Sequence, residues 1–277
     1  MKRIEDLRLD EERALYGASS LLVRNCRFAG DADGESALKE CTDIVAENCY
    51  FDLRYPFWHD KRGNVFGCEL TENCRAAFWY SEDLEIADCR LHGVKALREC
   101  KKVKITDCEI RSPEFGWSTR GLHIENTRAE GEYFLLRAER LRLKNVTFTG
   151  KYSFQYVKGA VIEGCDFDTK DAFWHAENVT VTDSVLKGEY LGWYSKNLTL
   201  VRCKIIGTQP LCYCKNLRLF DCEMENTDLA FEKSEVKASI TSHVDSIKNP
   251  LRGKITAPSV GEIVFDEPWA KGKVTVS

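Results

Sequence analysis

Long hydrophobic runs and an excess of basic charge are both missing from this 277-residue sequence. No stretch approaches the roughly 18 consecutive apolar residues of a membrane-spanning helix. The first residues, MKRIEDLRLDEERAL, are charged where a secretory signal peptide needs an apolar segment. Forty basic against 44 acidic side chains give a net charge of −4, so no broad positive field is available for nucleic acid. We therefore predict a cytoplasmic protein whose partners include neither nucleic acid nor a membrane.

Thirteen cysteines suggest a disulfide framework at first, but the number is odd and the chain is long. Because nothing directs the chain to an oxidising compartment, we expect free thiols. Packing in the core is the simpler role for them, since cysteine behaves as a small hydrophobic residue. The lone C-x-C pair of Cys212 and Cys214 does not make a zinc site. We therefore predict neither a metal nor a cofactor.

A slot that usually holds cysteine organises the sequence. From Cys89 onward the slot recurs every nineteen residues, and earlier cysteines extend it backward at intervals of 21, 19 and 23. In order, the slot holds Cys26, Cys49, Cys68, Cys89, Cys108, Thr127, Val146, Cys165, Ser184, Cys203 and Cys222. Twelve such units run from Arg8 to Thr241, and two short insertions account for the longer intervals.

The pattern inside each unit indicates short strands separated by corners. When the cysteine slot is numbered nineteen, positions fourteen and sixteen are apolar, as in Leu84 and Ile86, and position fifteen is mostly polar. This alternation predicts one strand, and the slot together with position two predicts a second. Gly, Asn and Asp recur at positions four, thirteen and eighteen, where they indicate corners. A helical repeat would instead space its apolar residues three and four apart.

These features predict an all-β fold, namely a single-stranded right-handed parallel β-helix (solenoid) of about 12 coils of 19 residues, with three short strands per coil. The hexapeptide pattern of left-handed helices is absent, which favours the right-handed form. The register breaks after Thr241. We therefore expect residues 1–241 to form the repeat domain and residues 242–277 to cap the end of its stack, as a segment of the same domain.

Aromatic residues crowd the third predicted strand. Position nine is often tryptophan, and position ten is often tyrosine or histidine. Neighbouring positions of a strand point to opposite sides, so only one of these two rows can enter the core. Position ten also holds Glu40 and Glu99, whose unpaired burial would be costly, so we expect position ten outside and the tryptophans inside. The same parity predicts that position eight, with Phe57 and Phe173, faces outward.

An exposed aromatic face suits either stacking against sugar rings or contact with a matching protein surface. Our first hypothesis is therefore a protein that binds or modifies a carbohydrate along this face. The alternative is a non-enzymatic scaffold, or a homo-oligomer that pairs through the face. The sequence leaves open whether the protein is an enzyme. The candidate ligand-binding residues are Glu35, Lys39, Trp58, Asp60, Arg75, Trp79, Glu99, Tyr156, His175, Tyr194 and Tyr213.

Both insertions, Gly30–Ser36 and Thr71–Ala76, precede the aromatic strand and flank the N-terminal part of its face. Loops on a rigid scaffold often build sites. In this part, position ten supplies Glu40, His59 and Tyr80 on successive coils, about 5 Å apart. A carboxylate, an imidazole and a phenol at this spacing could perform general acid–base catalysis. A solvated ladder of polar side chains is the competing interpretation of the same residues.

Several longer motifs occur in a specific order along the chain. They are ERALYG, GESALKE, YPFW, RAAFWYS, AFWHAEN, GEYLGWYSKNLTL and SIKNPLRGKI. With these motifs the chain resembles, over nearly its whole length, a bacterial β-helix family known as domain of unknown function 3737. The resemblance implies a β-helix fold. It implies no catalytic role, because the family has no established activity.

Overall fold

The computed structural model describes residues 1–30 and 35–277. The chain is an all-β parallel β-solenoid of about 14 turns, which confirms the predicted fold class. Residues 1–30 and 35–277 contain no helix, and therefore none that is long and apolar enough to cross a membrane. The chain divides into two compact units, unit 1 (Met1–Arg142) and unit 2 (Leu143–Ser277).

Unit 1 is built from short parallel strands. These are β1 (Lys2–Glu5), β2 (Ser19–Arg24), β3 (Arg27–Ala29), β4 (Thr42–Glu47), β5 (Tyr50–Asp52), β6 (Lys61–Phe66), β7 (Glu69–Leu70), β8 (Phe78–Trp79), β9 (Glu82–Ala87), β10 (Arg90–His92), β11 (Leu97–Arg98), β12 (Lys101–Thr106), β13 (Glu109–Arg111), β14 (Arg120–Glu125) and β15 (Arg128–Glu132). The boundary between the units lies within β16 (Glu139–Lys144).

Unit 2 repeats the same arrangement. Its strands are β17 (Thr147–Lys151), β18 (Lys158–Glu163), β19 (Asp166–Lys170), β20 (Glu177–Thr182), β21 (Val185–Lys187), β22 (Lys196–Val201), β23 (Lys204–Ile206), β24 (Leu217–Glu225), β25 (Glu235–Ile240), β26 (His243–Lys248), β27 (Arg252–Ala257), β28 (Ser259–Val264) and β29 (Lys273–Val276).

Two parallel sheets carry the alternation that the sequence predicts. In unit 1, strands β2, β4, β6, β9, β12 and β14 pair in register as one sheet, and β3, β5, β7, β10, β13 and β15 form the second. Alternate side chains point inward, as Val103 and Ile105 do on β12. Phe28 and Phe51 stack in the core with their ring centroids 4.7 Å apart. Burial of these apolar rows stabilises each coil against the next.

The third side of each coil differs from the predicted strand. Among the described residues, β8 pairs there with β11, and single parallel bridges join Arg98 to Trp117 and Ala230 to Ile247, while most other coils form turns on this side. In unit 2 the backbone of Tyr152, Phe154 and Tyr156 has φ of 58°, 57° and 58°, which is left-handed. Left-handed residues at alternate positions break the pleat of an extended strand, so side chains no longer alternate strictly between inside and outside.

This backbone reverses part of the predicted orientation. Position ten faces outward as predicted, and Tyr156 is 45% exposed. The prediction for position eight is wrong, because Phe57 and Phe173 are buried in the core together with the small residues of positions seven and eleven. The tryptophans of position nine, for example Trp58 and Trp193, were expected inside but are half-buried at the surface beside position ten.

Strands continue beyond Thr241. In unit 2, β25 pairs with β27 and β27 with β29, while β26 pairs with β28, all in parallel. The offset between β25 and β27 is shorter than the nineteen-residue unit, since Glu235 lies opposite Arg252. The division into a repeat domain 1–241 and a capping segment 242–277 stays a prediction.

Candidate functional site

The two units each present their own part of the aromatic side. The unit 1 strip contains the side chains of positions nine and ten from Lys39 to Glu99. Lys39 Nζ lies 4.4 Å from the ring centre of Trp58, and Trp58 stacks on Trp79 with ring centroids 5.5 Å apart. Arg98 lies over Trp79 at 5.4 Å. Cation–π and ring contacts thus hold these side chains in a continuous column.

The predicted catalytic residues lie on the outer surface of this strip. Glu40 accepts a hydrogen bond from the hydroxyl of Tyr16 at 2.7 Å, which raises the pKa of that phenol. His59 and Tyr80 are exposed, with ring centroids 5.0 Å apart and planes tilted by 45°. The main-chain N–H of Glu40 donates to the carbonyl of Trp58, so the residues stand on adjacent coils. The catalytic role of Glu40, His59 and Tyr80 stays a prediction.

Among the other candidates of unit 1, Glu99 ends the strip, whereas Glu35 and Arg75 lie in the two predicted flanking loops. Glu35 is half-buried and lies 3.3 Å from Arg54 in an ion pair, and Glu99 accepts a hydrogen bond from Nε of its neighbour Arg98. Arg75 is exposed in the insertion Thr71–Ala76. Of the other predicted flanking loop, Gly30–Ser36, residues 31–34 lie outside the described residues.

Asp60 is not on the aromatic face, which corrects its place among the predicted ligand-binding residues. Its side chain is only 2% exposed and points into the coil at position eleven. One carboxylate oxygen accepts the main-chain N–H of Cys41 at 2.9 Å, and burial raises the pKa of this carboxyl well above its usual range. In the next coil Ser81 has the same role, because its hydroxyl accepts the N–H of Asp60 at 3.0 Å. Asp60 is therefore part of the interior hydrogen bonding.

Trp58 and Trp79 differ from the other tryptophans of position nine. Trp174 and Trp193 donate their indole N–H to carbonyl oxygens of the following coil, both at 2.7 Å. The indole N–H groups of Trp58 and Trp79 are buried and have no hydrogen-bond partner among the described residues. The ring orientation also differs between the two units. The plane of Trp79 lies 18° from that of Tyr80, whereas the plane of Trp193 lies 81° from that of Tyr194. A buried donor without an acceptor destabilises this part of unit 1.

The part in unit 2 is a continuous stack of four rings, which we call the aromatic ladder: Tyr156, His175, Tyr194 and Tyr213. Successive ring centroids are 4.9, 5.0 and 4.9 Å apart, with interplanar angles of 9°, 8° and 13°. Parallel coils impose this spacing, because each ring occupies the same position one coil further along. The structure therefore brings together all four candidate residues that the sequence analysis identified in unit 2.

Stacking determines which atoms of the aromatic ladder are available to a ligand. The faces of the inner rings cover one another, so an incoming molecule cannot stack on them. The exposed parts are ring edges, with the imidazole of His175 and the hydroxyl groups of the tyrosines. Tyr213 also donates a 3.2 Å hydrogen bond to Glu232, and burial together with Glu232 raises the pKa of Tyr213 to about 12. The ladder thus presents a row of ring edges and polar groups, and the stacking of sugar rings against this face stays a prediction.

The ladder is not needed to fill the interior of unit 2. Phe154 and Phe173 already stack there, with ring centroids 4.7 Å apart and planes 6° from parallel. Each stacked ring pair contributes about 0.5–1.5 kcal/mol wherever it lies. Stacking therefore stabilises the ladder but does not explain its place on the outside, where Tyr194 remains 46% exposed.

All thirteen cysteines are free and buried, so none contributes to either surface. Burial raises the pKa of Cys41, Cys74 and Cys100 to about 12. In the described part of the chain, no three His, Cys, Asp or Glu side chains are placed together to hold a metal ion.

Comparison with known proteins places the chain in a sequence family. A family described as protein of unknown function (DUF3737) matches residues 2–276. Comparison with curated proteins finds no match.

Solved structures with similar folds are distant in sequence. PfbA, a surface adhesin of Streptococcus pneumoniae, is 7% identical and aligns over 95% of this chain and 82% of its own, with a TM-score of 0.44. A mutant of the periplasmic alginate epimerase AlgG is 9% identical and aligns over 94% of this chain and 77% of its own, with a TM-score of 0.41. The A-module of the Azotobacter vinelandii mannuronan C-5 epimerase AlgE4 is 10% identical and aligns over 99% of this chain and 89% of its own, with a TM-score of 0.31. At these identities the likeness concerns the fold alone.

Proposed function

The chain belongs to the DUF3737 family of proteins of unknown function, and from the geometry of its surface we propose that it binds an oligosaccharide along the aromatic ladder of unit 2. The observation that carries this proposal is the regular outward row of Tyr156, His175, Tyr194 and Tyr213. Their exposed edges offer polar groups at the coil repeat of about 4.8 Å.

Sugar hydroxyl groups are matched by the chemistry of this row. A tyrosine hydroxyl both donates and accepts hydrogen bonds, and a neutral imidazole does so through its two nitrogens. The rings below these polar tips are apolar and rigidly stacked, so little side-chain entropy is lost on binding. A linear oligosaccharide that lies along the row would repeat the same contacts from coil to coil. Binding without catalysis is sufficient to explain the ladder.

Replacement of the ladder hydroxyl groups tests the proposal. The variant with Tyr156→Phe, Tyr194→Phe and Tyr213→Phe keeps the stacked rings but removes three hydroxyls. Binding of oligosaccharides is followed by calorimetry and by intrinsic tryptophan fluorescence, to which Trp174 and Trp193 beside the ladder contribute. We expect the variant to lose about tenfold or more in affinity, since each lost hydrogen bond costs about 0.5–1.5 kcal/mol.

Tyr50→Phe is the control, because Tyr50 lies in unit 1 beneath Arg27 and outside both aromatic surfaces. Unchanged affinity in the triple variant would contradict recognition through the ring edges. Sedimentation at several protein concentrations examines the alternative, a scaffold that pairs through this face. A dimer that the same triple variant dissociates would favour that alternative instead.

A further inference from the structure

A row of lysines runs beside the aromatic ladder. Each ladder tyrosine is followed two residues later by a lysine, which gives Tyr156 with Lys158, Tyr194 with Lys196 and Tyr213 with Lys215. The residue between the members of each pair is buried, and all three lysines are exposed. We call Lys158, Lys196 and Lys215 the lysine row. The row lies on the outer surface of the same coils as the ladder, at the start of β18, at the start of β22 and just before β24.

The charge of the lysine row is only partly compensated within unit 2. Its three ammonium groups form no ion pair with an acidic side chain of the described residues. Lysines on another side of unit 2 differ, because Lys187 lies 2.6 Å from Asp168 and Lys204 lies 2.6 Å from Glu225. Lys196 and Lys215 are register neighbours on adjacent coils, so two like charges stand side by side. Like charges at this spacing repel unless an anion lies between them.

Three acidic side chains, Glu177, Glu232 and Glu235, lie near the row and leave it positive. The main-chain N–H of Glu235 donates to the carbonyl of Cys214, and its carboxylate lies 2.8 Å from the guanidinium of Arg252. Glu177 is half-buried and is the register partner of Lys158 on one side and Lys196 on the other. Glu232 is already paired, since its carboxylate lies 3.1 Å from Nζ of Lys248. The surface beside the ladder is thus basic on a chain whose net charge is −4. A local patch of opposite sign to the whole chain selects for an anionic ligand.

We propose that the oligosaccharide on the aromatic ladder is acidic, a linear chain of uronic acid residues whose carboxylates lie along the lysine row. This inference rests on the proposed function and adds the substrate class to it. Both rows follow the coil repeat of about 4.8 Å, so one extended chain contacts hydroxyl groups on one side and ammonium groups on the other. Ammonium–carboxylate hydrogen bonds are stronger than those between neutral groups, which gives the lysine row its selectivity.

Two matched pairs of hexasaccharides test the charge of the ligand directly. One pair is hexagalacturonate and its fully methyl-esterified form, and the other is hexamannuronate and mannohexaose. Calorimetry on the full chain at low and moderate salt measures affinity. We expect the acidic member of at least one pair to bind about tenfold more tightly than its neutral partner. Added salt should remove most of that difference, because these surface charges are screened.

The double variant Lys196→Ala/Lys215→Ala tests the lysine row. Its matched control is Lys237→Ala/Lys254→Ala, which removes two exposed lysines that are also register neighbours but lie on β25 and β27. We expect the first variant to bind the acidic hexasaccharide about tenfold more weakly, with its neutral partner unaffected. The control should bind both as the parent chain does.

The outcomes separate this inference from the proposed function. Equal affinity for the acidic and neutral members, or equal losses in the two lysine variants, overturns the acidic class while oligosaccharide binding stands. Binding of none of the four hexasaccharides overturns both. Acid-selective binding that survives in the Lys196→Ala/Lys215→Ala variant overturns the role of the lysine row.

Discussion

Asp60 places a carboxyl group inside unit 1, at a position where other coils have small residues such as Cys41, Ser81 and Ala138. Its side-chain oxygen accepts a hydrogen bond from the main-chain N–H of Cys41. The main-chain N–H of Asp60 in turn donates to the hydroxyl oxygen of Ser81. Burial favours the neutral acid, so the pKa of Asp60 in the folded chain lies well above the value of about 3.9 in an unfolded chain. As the pH rises above about 4, the unfolded chain releases this proton and the folded chain retains it, so stability falls.

We predict that Asp60→Asn removes this loss of stability. The amide oxygen still accepts the N–H of Cys41, but the side chain no longer ionises. Near pH 3 the variant and the parent chain should unfold at similar temperatures, because the carboxyl is then largely protonated in both states. Toward pH 8 the variant should become the more stable of the two. Thermal unfolding followed by circular dichroism across this pH range measures the difference.

Asp43→Asn is a control with the opposite sign. Asp43 is partly exposed and accepts two hydrogen bonds from the guanidinium of Arg62, at 2.7 and 2.9 Å. These bonds hold the pKa of its carboxyl below the usual range. A depressed pKa contributes stability at neutral pH that disappears as the pH falls through the folded pKa. The Asn variant should therefore be less stable at pH 7 and approach the parent chain at acidic pH. Parallel pH profiles for the two variants would contradict our assignment of Asp60.

Residue-level prediction from sequence succeeds where the backbone is extended. Alternation identified Val103 and Ile105 as core residues because a pleated strand imposes it. The same alternation predicted that Phe173 faces outward, which is wrong. Its backbone is left-handed, with φ of 60°, and its side chain lies in the core. Left-handed backbone is usually indicated by Gly or Asn, and nothing in a run of Phe, Tyr and Leu indicates it. The lysine row could have been found, since the Tyr-x-Lys spacing is visible in the sequence.

Whole rows of side chains join successive coils, and the cysteine slot is the clearest of them. The N–H of Cys68 donates to Sγ of Cys89 at 3.3 Å, and that thiol donates to the carbonyl of Ala87 at 3.1 Å. Where the slot holds Ser184, its hydroxyl makes the same two contacts, with the N–H of Cys165 at 3.0 Å and the carbonyl of Thr182 at 2.8 Å. The sequence predicts these cysteines as small apolar core residues and does not reveal their hydrogen-bonding role.

This arrangement predicts an order of stability at Cys89. Cys89→Ser keeps an acceptor for the N–H of Cys68 and should change the free energy of unfolding by less than about 1 kcal/mol. Cys89→Ala leaves that buried N–H without a partner and should cost about 1–3 kcal/mol. Urea unfolding measures both variants. An alanine variant as stable as the serine variant would show that the slot requires small size alone.

A second row consists of asparagines on the outer side of β20, β22 and the turn before β24. Asn197 donates to the side-chain oxygen of Asn178 at 2.7 Å and accepts from Asn216 at 2.8 Å, and its φ is 54°. Asn197→Ala removes both bonds and strains the backbone, so we expect a loss of about 1–2 kcal/mol. Asn197→Gly removes only the bonds and should lose less. Chemical denaturation of both variants decides this order, and a glycine variant weaker than the alanine variant contradicts it.

At the scale of the whole molecule, each strand of unit 2 depends on its immediate neighbours. Strand β20 pairs with β18 before it and β22 after it, with Val179 between Ala160 and Leu198. Solenoid stability is therefore close to a sum over coils and the contacts between adjacent coils. The nineteen-residue interval could be read from the sequence because each coil must return its apolar positions to the same place. The local backbone of the third side depends on contacts that this interval does not specify.

Deletion of one complete coil tests this dependence on neighbours. Removal of residues 177–195 joins Ala176 to Lys196, which then occupies the register position of Glu177. Leu198 replaces Val179 and Cys203 replaces Ser184, so every inward row continues. We expect a cooperative thermal transition within about 10 °C of that of the parent chain. Removal of residues 177–186 shifts the register by half a coil, carries polar residues into the core and should abolish cooperative unfolding. Similar transitions in the two deletion variants, measured by calorimetry, would contradict a register fixed at nineteen residues.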